Sequence, residues 1–192
     1  DRRQDYALAR WVQNGLRINR PIGYRAYDAG VLGWGVITEK HSMEPRLDYY
    51  TASPKALKAM LMLEANTFGL SIEQPLLELI KIRVSQLNHC GFCTDMHSMA
   101  ARQRGETERR LFALCVWRDS PFFTAREKAA LAWSESVAAL PTSQVSDELF
   151  AAVRMEFSEE ELVDLTMAVS SISGWNRLAV SFRQQPPNAS PL

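Results

Sequence analysis

The chain has 192 residues, of which 46% are hydrophobic and 23% charged, as is typical of one soluble globular domain with a possible extra arm. Its 22 basic residues balance its 22 acidic residues, so charge supports neither nucleic-acid binding nor a membrane-surface role. No apolar run approaches a membrane span, and three cysteines do not suggest a disulfide scaffold. We therefore expect a cytoplasmic protein in a reducing compartment.

Residues 1–42 differ from the remainder of the chain. They are rich in arginine, hold five of the nine glycines and lack a sustained helical period. We therefore divide the chain into an N-terminal extension, residues 1–42, and a helical domain, residues 43–192. We favour an extension foreign to the native protein; the alternative is an arm that packs on a neighbouring subunit.

Helix signals recur along the second region. Apolar residues follow a 3.6-residue period, and no segment reads convincingly as a strand, so we predict an all-α fold of about seven helices. Capping boxes predict three helix starts, at Ser71 with Gln74, Thr124 with Glu127 and Ser158 with Glu161. Another helix is expected from about Cys90 to Arg104, with Gly105 ending it.

The segment Glu78–His97 carries the candidate chemistry. Cys90 and Cys93 are separated by two residues, His97 follows Cys93 by four, and Glu78 precedes Cys90 by twelve. Residues four apart share a helix face, so His97 would lie beside Cys93 and take its proton. Glu78 could orient that imidazole if the two helices fold back on each other. Two cysteines spaced in this way can cycle between dithiol and disulfide, which predicts a redox site.

The same cysteine pair has a second interpretation as half of a zinc site. A structural zinc site usually needs four ligands, and Cys115, His41 and His89 do not supply a second pair. We therefore expect no metal. Cys115 falls on an apolar stripe with Leu111 and Leu114, so we predict a buried, inert thiol.

The spacing Glu-x11-Cys-x2-Cys-x3-His resembles the core motif of the alkylhydroperoxidase D (AhpD)-like branch of the carboxymuconolactone decarboxylase family. The likeness extends over LLELIKIRVSQLNHCGFCTDMHSMAARQRGETERRL and SGWNRLAVSF, and runs from about residue 43 to residue 182. It implies an all-α homo-oligomer, usually a trimer or hexamer, that reduces hydroperoxides through its thiols. It also implies that no cofactor is bound, and that an external dithiol, such as a lipoyl group on a partner protein, reduces the pair.

The resemblance also assigns roles. Cys93 would attack the peroxide, His97 would activate it, Glu78 would complete a proton relay, and Cys90 would resolve the product to a disulfide. Proximity to the helix N-terminus favours Cys90 as the more activated thiol. We follow the histidine argument, because it places a base within reach of Cys93.

One position departs from the family pattern. Better-studied AhpD proteins carry a second histidine just before the second cysteine, where this chain has Phe92, and His89 precedes the first cysteine instead. This departure favours either a weaker peroxidase or a different oxidisable substrate. Two alternatives to a peroxidase stay open: a disulfide reductase or redox sensor with little peroxide turnover, and a non-catalytic helical oligomer whose cysteines bind metal. For Trp175-Asn176-Arg177 we favour a structural role over lining the entrance to the dithiol.

Overall fold

The computed structural model describes residues 44–140 and 142–186, and within these ranges it contains helices and no strand. This confirms the predicted all-α class. The proposed extension, residues 1–42, lies outside the described ranges, so the domain division stays a prediction.

The described ranges contain eight α-helices and one 3-10 helix. In chain order they are α1 (Tyr49–Ala52), α2 (Pro54–Thr67), α3 (Gln74–Leu87), α4 (Gly91–Gln103), α5 (Glu108–Ala113), the 3-10 helix (Leu114–Asp119), α6 (Ala125–Ala138), α7 (Asp147–Arg154) and α8 (Glu159–Ser181).

Helix α3 lies at the centre of these elements. It packs against α4, α6 and α8, and nearly all of its residues from Leu76 to Ser85 are buried. One apolar cluster contains Ile80 and Val84, and a second, on another side of the helix, contains Leu79 and Ile82. Because apolar packing surrounds α3, any charged side chain that it carries must find a partner inside the protein.

Several predicted helix ends are confirmed. Thr124 and Ser158 each accept a hydrogen bond from the third helical residue, and the glutamate there bonds back, so both capping boxes form. Helix α4 runs over Gly91–Gln103, and Gly105 follows with φ 96°, a left-handed conformation that suits glycine.

The predicted helix start at Ser71 is wrong. Helix α3 begins at Gln74, and Ser71 instead binds Asp164 of α8, with its backbone nitrogen and its hydroxyl both 2.8 Å from the same carboxylate oxygen. A cap at Ser71 would place Pro75 at the fourth helical position, where the backbone N–H must donate the first helical hydrogen bond. Proline has no such donor, so the helix starts later.

The prediction for Cys115 is also wrong, because its side chain is exposed. After α5 the chain continues as a 3-10 helix, which has about three residues per turn. This tighter winding buries Leu114 and Trp117, three residues apart, and leaves Val116 60% exposed. Cys115 therefore turns outward with Val116.

Candidate functional site

Cys90 and Cys93 form a disulfide at the N-terminus of α4, with their Cα atoms 5.4 Å apart. Cys90 is the N-cap residue, and its sulfur accepts a hydrogen bond from the Cys93 N–H at 3.3 Å. Both residues are almost fully buried. The start of α4 thus holds the two sulfur atoms at bonding distance, as the spacing predicts.

A tight turn between α3 and α4 sets the position of Cys90. The Cys90 N–H donates to the Ser85 carbonyl at 2.9 Å, and the His89 N–H donates to the Gln86 carbonyl at 3.2 Å. This is the Schellman pattern, in which the residue after the helix cap takes a left-handed conformation. His89 occupies that position with φ 54°. The turn carries the chain directly from the end of α3 into the cysteine pair.

Helix α8 fastens this turn through a buried asparagine. The Asn176 side-chain amide donates to Ser85 Oγ at 3.0 Å and accepts from Asn88 Nδ2 at 2.9 Å. Arg177 donates to a backbone carbonyl of its own helix. These contacts support the structural interpretation of Trp175-Asn176-Arg177. The indole nitrogen of Trp175 is buried and, within the described part of the chain, has no hydrogen-bond partner.

Glu78 and His97 meet between α3 and α4. The His97 Nδ1 atom lies 2.8 Å from Glu78 Oε2, and Arg104 Nη1 lies 3.1 Å from Glu78 Oε1. Both Glu78 and His97 are buried, at 5% and 7% exposure. Since an ionised carboxylate only accepts hydrogen bonds, Nδ1 carries the proton, and Nε2 is left as the nitrogen that can accept another.

The electrostatic surroundings keep Glu78 ionised. Burial raises the pKa of the Glu78 carboxyl, but its hydrogen bond to His97 and the charge of that ring lower it more. The charges of Lys81 and Arg104 lower the pKa further, so it lies below its ordinary value of 4.5. Near neutral pH the site therefore presents an imidazole held by a carboxylate, one helical turn beyond Cys93.

A second buried ion pair lies nearby. Lys81 Nζ lies 2.5 Å from Glu64 Oε1, and Ser171 Oγ donates to Glu64 Oε2 at 2.7 Å. Burial raises the pKa of Glu64, but the charge of Lys81 and the hydrogen bonds from Lys81 and Ser171 lower it more, to below its ordinary range. This pair was not predicted from the sequence. The available signal was a lysine inside the otherwise apolar run Leu79–Ile82.

An open cleft of about 560 Å³ reaches the disulfide from one side. Cys90 contributes to its lining and Cys93 does not, and on this basis alone we name Cys90 the outer cysteine and Cys93 the inner one. The lining residues are Ser85, Gln86, His89, Cys90, Gly91, Thr94 and Asp95. Sequence analysis did not identify this cleft, because its lining depends on how the turn between α3 and α4 folds.

The structure brings all four predicted residues, Glu78, Cys90, Cys93 and His97, into one helical hairpin. While the sulfur atoms are joined to each other, His97 is bonded to Glu78 rather than to Cys93. Within residues 44–140 and 142–186, no three His, Cys, Asp or Glu side chains are grouped to hold a metal ion. Nor does any helix in those ranges have the length and apolarity needed to cross a membrane.

Comparisons with known proteins identify relatives of this chain. The carboxymuconolactone decarboxylase family model matches residues 49–136. The uncharacterized protein YdfG of Bacillus subtilis is 43% identical over 139 residues, covering 72% of this chain and 95% of YdfG.

Solved structures share the fold. A protein of unknown function from Agrobacterium tumefaciens, described as a candidate antioxidant defence protein AhpD, superposes with a TM-score of 0.73 at 40% identity, covering 75% of this chain and 99% of that one. The debrominase Bmp8 has a TM-score of 0.66 at 21% identity, covering 72% and 75%, which shows a common fold alone. The chain therefore belongs to the carboxymuconolactone decarboxylase family, among its AhpD-like members.

Proposed function

We propose that this protein is a thiol-dependent peroxidase that reduces hydroperoxides through a Cys90–Cys93 dithiol/disulfide cycle. The observation that carries the proposal is the buried hydrogen bond of 2.8 Å between His97 and Glu78, next to the inner cysteine on α4. An imidazole fixed by a carboxylate can take the proton of a neighbouring thiol and stabilise the thiolate, which is the reactive form.

The oxidative half of the cycle uses Cys93. Its thiolate attacks one oxygen of the hydroperoxide, the O–O bond breaks, and the departing alkoxide takes the proton that His97 held. Cys93 becomes a sulfenic acid. The Cys90 sulfur then attacks that sulfenic sulfur, and water leaves as the disulfide forms. The N-cap position of Cys90 places the two sulfur atoms within bonding distance for this last step.

The reductive half of the cycle begins at Cys90. An external dithiol, such as a lipoyl group on a partner protein, attacks the sulfur of Cys90, the cysteine that contributes to the lining of the open cleft. Two electrons pass to the protein, and the dithiol leaves as a disulfide. No cofactor bound to this chain takes part in either half.

We also propose that the protein works as a homo-oligomer, a trimer or hexamer. Large apolar side chains lie exposed on the single chain, including Phe112 at 75%, Met155 at 84% and Val163 at 62%. Exposed apolar surface favours association with a further copy. The molar mass in solution, measured by light scattering, tests the number of subunits.

Turnover tests the peroxidase proposal directly. Wild type and the variants Cys93→Ser and Cys90→Ser are assayed with dihydrolipoamide, using hydrogen peroxide and an organic hydroperoxide. We expect wild-type turnover, none in either variant, and a trapped sulfenic acid at Cys93 in Cys90→Ser. A sulfenic acid trapped in Cys93→Ser would instead make Cys90 the attacking cysteine.

A disulfide reductase or redox sensor is the second candidate. The observation that favours it is Phe92, which stands where better-studied AhpD proteins carry a second histidine and packs against the apolar cluster around the pair. In this case the disulfide would form and be reduced reversibly, while peroxide consumption stays near background. The same assay separates the two functions.

A further inference from the structure

We infer that His89 is the acid–base group of the reductive half-reaction. It takes the proton of the incoming thiol and returns it to Cys90. This inference rests on the dithiol/disulfide cycle proposed above, but not on the identity of the oxidant. It divides the work between two imidazoles: His97 serves the inner cysteine, and His89 serves the outer one.

The backbone of His89 is the first support. Its φ of 54° lies in the left-handed region, at a position in the Schellman turn that glycine fills at no steric penalty. A side chain with a Cβ is unfavourable there. Unfavourable backbone positions that persist cluster at functional sites.

The side chain of His89 is the second support. It is exposed, and within the described part of the chain it makes no side-chain hydrogen bond or ion pair. The fold therefore gains little from the imidazole that would offset the unfavourable backbone. The imidazole is free to interact with a molecule that enters the cleft.

The position of His89 is the third support. His89 and Cys90 are neighbours in the chain and line the same open cleft, so a thiol that enters this cleft to reach Cys90 also meets His89 there. Asp95 of α4 is the other ionisable residue among those that line this cleft, apart from the cysteine. The other imidazole, His97, is buried and bonded to Glu78, and does not line the cleft. An imidazole has one ring nitrogen that accepts a proton and one that donates, which suits proton exchange with a thiol.

Reduction of the disulfide takes two thiol exchanges. The first thiol of the reductant gives its proton to His89, its sulfur bonds to Cys90, and the Cys90–Cys93 bond breaks with Cys93 leaving as a thiolate. The second thiol of the reductant loses its proton to solvent, and its sulfur bonds to the first. The bond to Cys90 then breaks, and Cys90 takes the proton held by His89. The protein gains two electrons, and the reductant becomes a disulfide.

The test separates reduction from oxidation. The variants His89→Gly and His89→Asn both fit the left-handed backbone and lack the imidazole. The oxidised proteins are mixed with excess dihydrolipoamide, and the appearance of free thiols is followed in a single turnover. We expect the reduction rate to fall at least about tenfold in both variants. Oxidation of the pre-reduced variants by peroxide should keep the wild-type rate, and the Tm of His89→Gly should be unchanged or higher.

Free imidazole in solution provides a further readout, because the cleft is open to small molecules. Added imidazole should restore part of the reduction rate of His89→Gly. It would not do so if His89 had a purely structural role. Wild-type reduction rates in both variants would overturn the inference, and so would an equal slowing of oxidation and reduction. The wild type could consume no peroxide while dihydrolipoamide still reduces the disulfide of both variants more slowly than that of the wild type. In that case the peroxidase proposal fails and the role of His89 stands.

Discussion

Two carboxylates, Glu64 and Glu78, are buried in this protein, and their partners differ. Glu64 accepts from Lys81 at one oxygen and from Ser171 at the other, so both oxygens are engaged by groups from inside the fold. Glu78 accepts from His97 and from Arg104, whose side chain is 42% exposed. Burial disfavours both charges, and the partners offset that effect in each case.

The difference concerns proton exchange. The Glu64–Lys81 pair joins a carboxylate, which only accepts hydrogen bonds, to an ammonium, which only donates them, so it fixes one arrangement of charge between α2 and α3. The Glu78–His97 pair joins a carboxylate to an imidazole, whose second nitrogen is available to exchange a proton while the carboxylate holds the ring in place. We expect the first pair to act mainly on stability and the second mainly on chemistry.

Removing Lys81 should have the largest effect on stability. Lys81→Met leaves the Glu64 carboxylate buried without a counter-charge, which should lower the free energy of unfolding by about 3–5 kcal/mol. The double variant Glu64→Gln/Lys81→Met removes both charges and should recover much of that loss. Urea unfolding measures all three proteins. A double variant as unstable as Lys81→Met would show that the charge of Glu64 is not the cause.

Replacing Glu78 should separate chemistry from stability. In Glu78→Gln, His97 loses its ionised acceptor, and oxidation of the reduced protein by peroxide should slow by about 100-fold. The matched control is Glu64→Gln, which alters the other buried carboxylate and should leave the oxidation rate per folded molecule close to wild type. Rapid mixing with peroxide, scaled by the folded fraction, gives both rates. If peroxide oxidation slowed equally in Glu78→Gln and Glu64→Gln, the two carboxylates would not differ in their effect on the chemistry.

Acid should lower the free energy of unfolding through both buried carboxylates, Glu64 and Glu78. The pKa of Glu64 and that of Glu78 lie below the ordinary value of 4.5 in the folded chain. Such a group stabilises the fold fully above its unfolded pKa, and the contribution is lost as the pH falls through the folded pKa. The free energy of unfolding should therefore decline below about pH 4.5 and depend little on these groups above it. Urea unfolding at a series of pH values measures how steeply the free energy of unfolding falls with pH. The fall should be shallower in Glu64→Gln/Lys81→Met. An unchanged fall would contradict a lowered pKa of Glu64.

The smallest effect on stability is expected at Trp175. Both carboxylates have hydrogen-bond partners inside the protein, and the buried indole nitrogen of Trp175 has none among the described residues. Trp175→Phe removes that nitrogen and keeps an aromatic ring, so stability should change by less than about 1 kcal/mol in either direction. The Tm measures the change. A large loss would indicate that the indole N–H is satisfied by water.

The residues of the candidate site are close together in the chain, so local spacing is enough to predict that they meet, while their roles stay a prediction. Helical spacing places His97 on one face with Cys93, and the hairpin of α3 and α4 brings Glu78 to it. Capping residues mark helix starts reliably where no proline interferes, as at Thr124. Ser71 fails as a cap because Pro75 follows it.

Other features depend on contacts that spacing does not reveal. Ser171 reaches Glu64 across 107 positions of sequence, so no local pattern announces the bond. Cys115 turns outward because it lies in a 3-10 helix. The prediction from the apolar stripe assumed 3.6 residues per turn, whereas a 3-10 helix has about three. The left-handed turn at His89 falls where glycine would be the usual signal.

The hairpin also bears on how the chain folds. Helices α3 and α4 pack against each other more extensively than any other pair of described helices, and the turn between them is short. Closing a short loop loses little chain entropy, and local contacts form faster than distant ones. We therefore expect the hairpin that carries the cysteine pair to assemble early, so that disulfide formation could begin before α8 has docked against it.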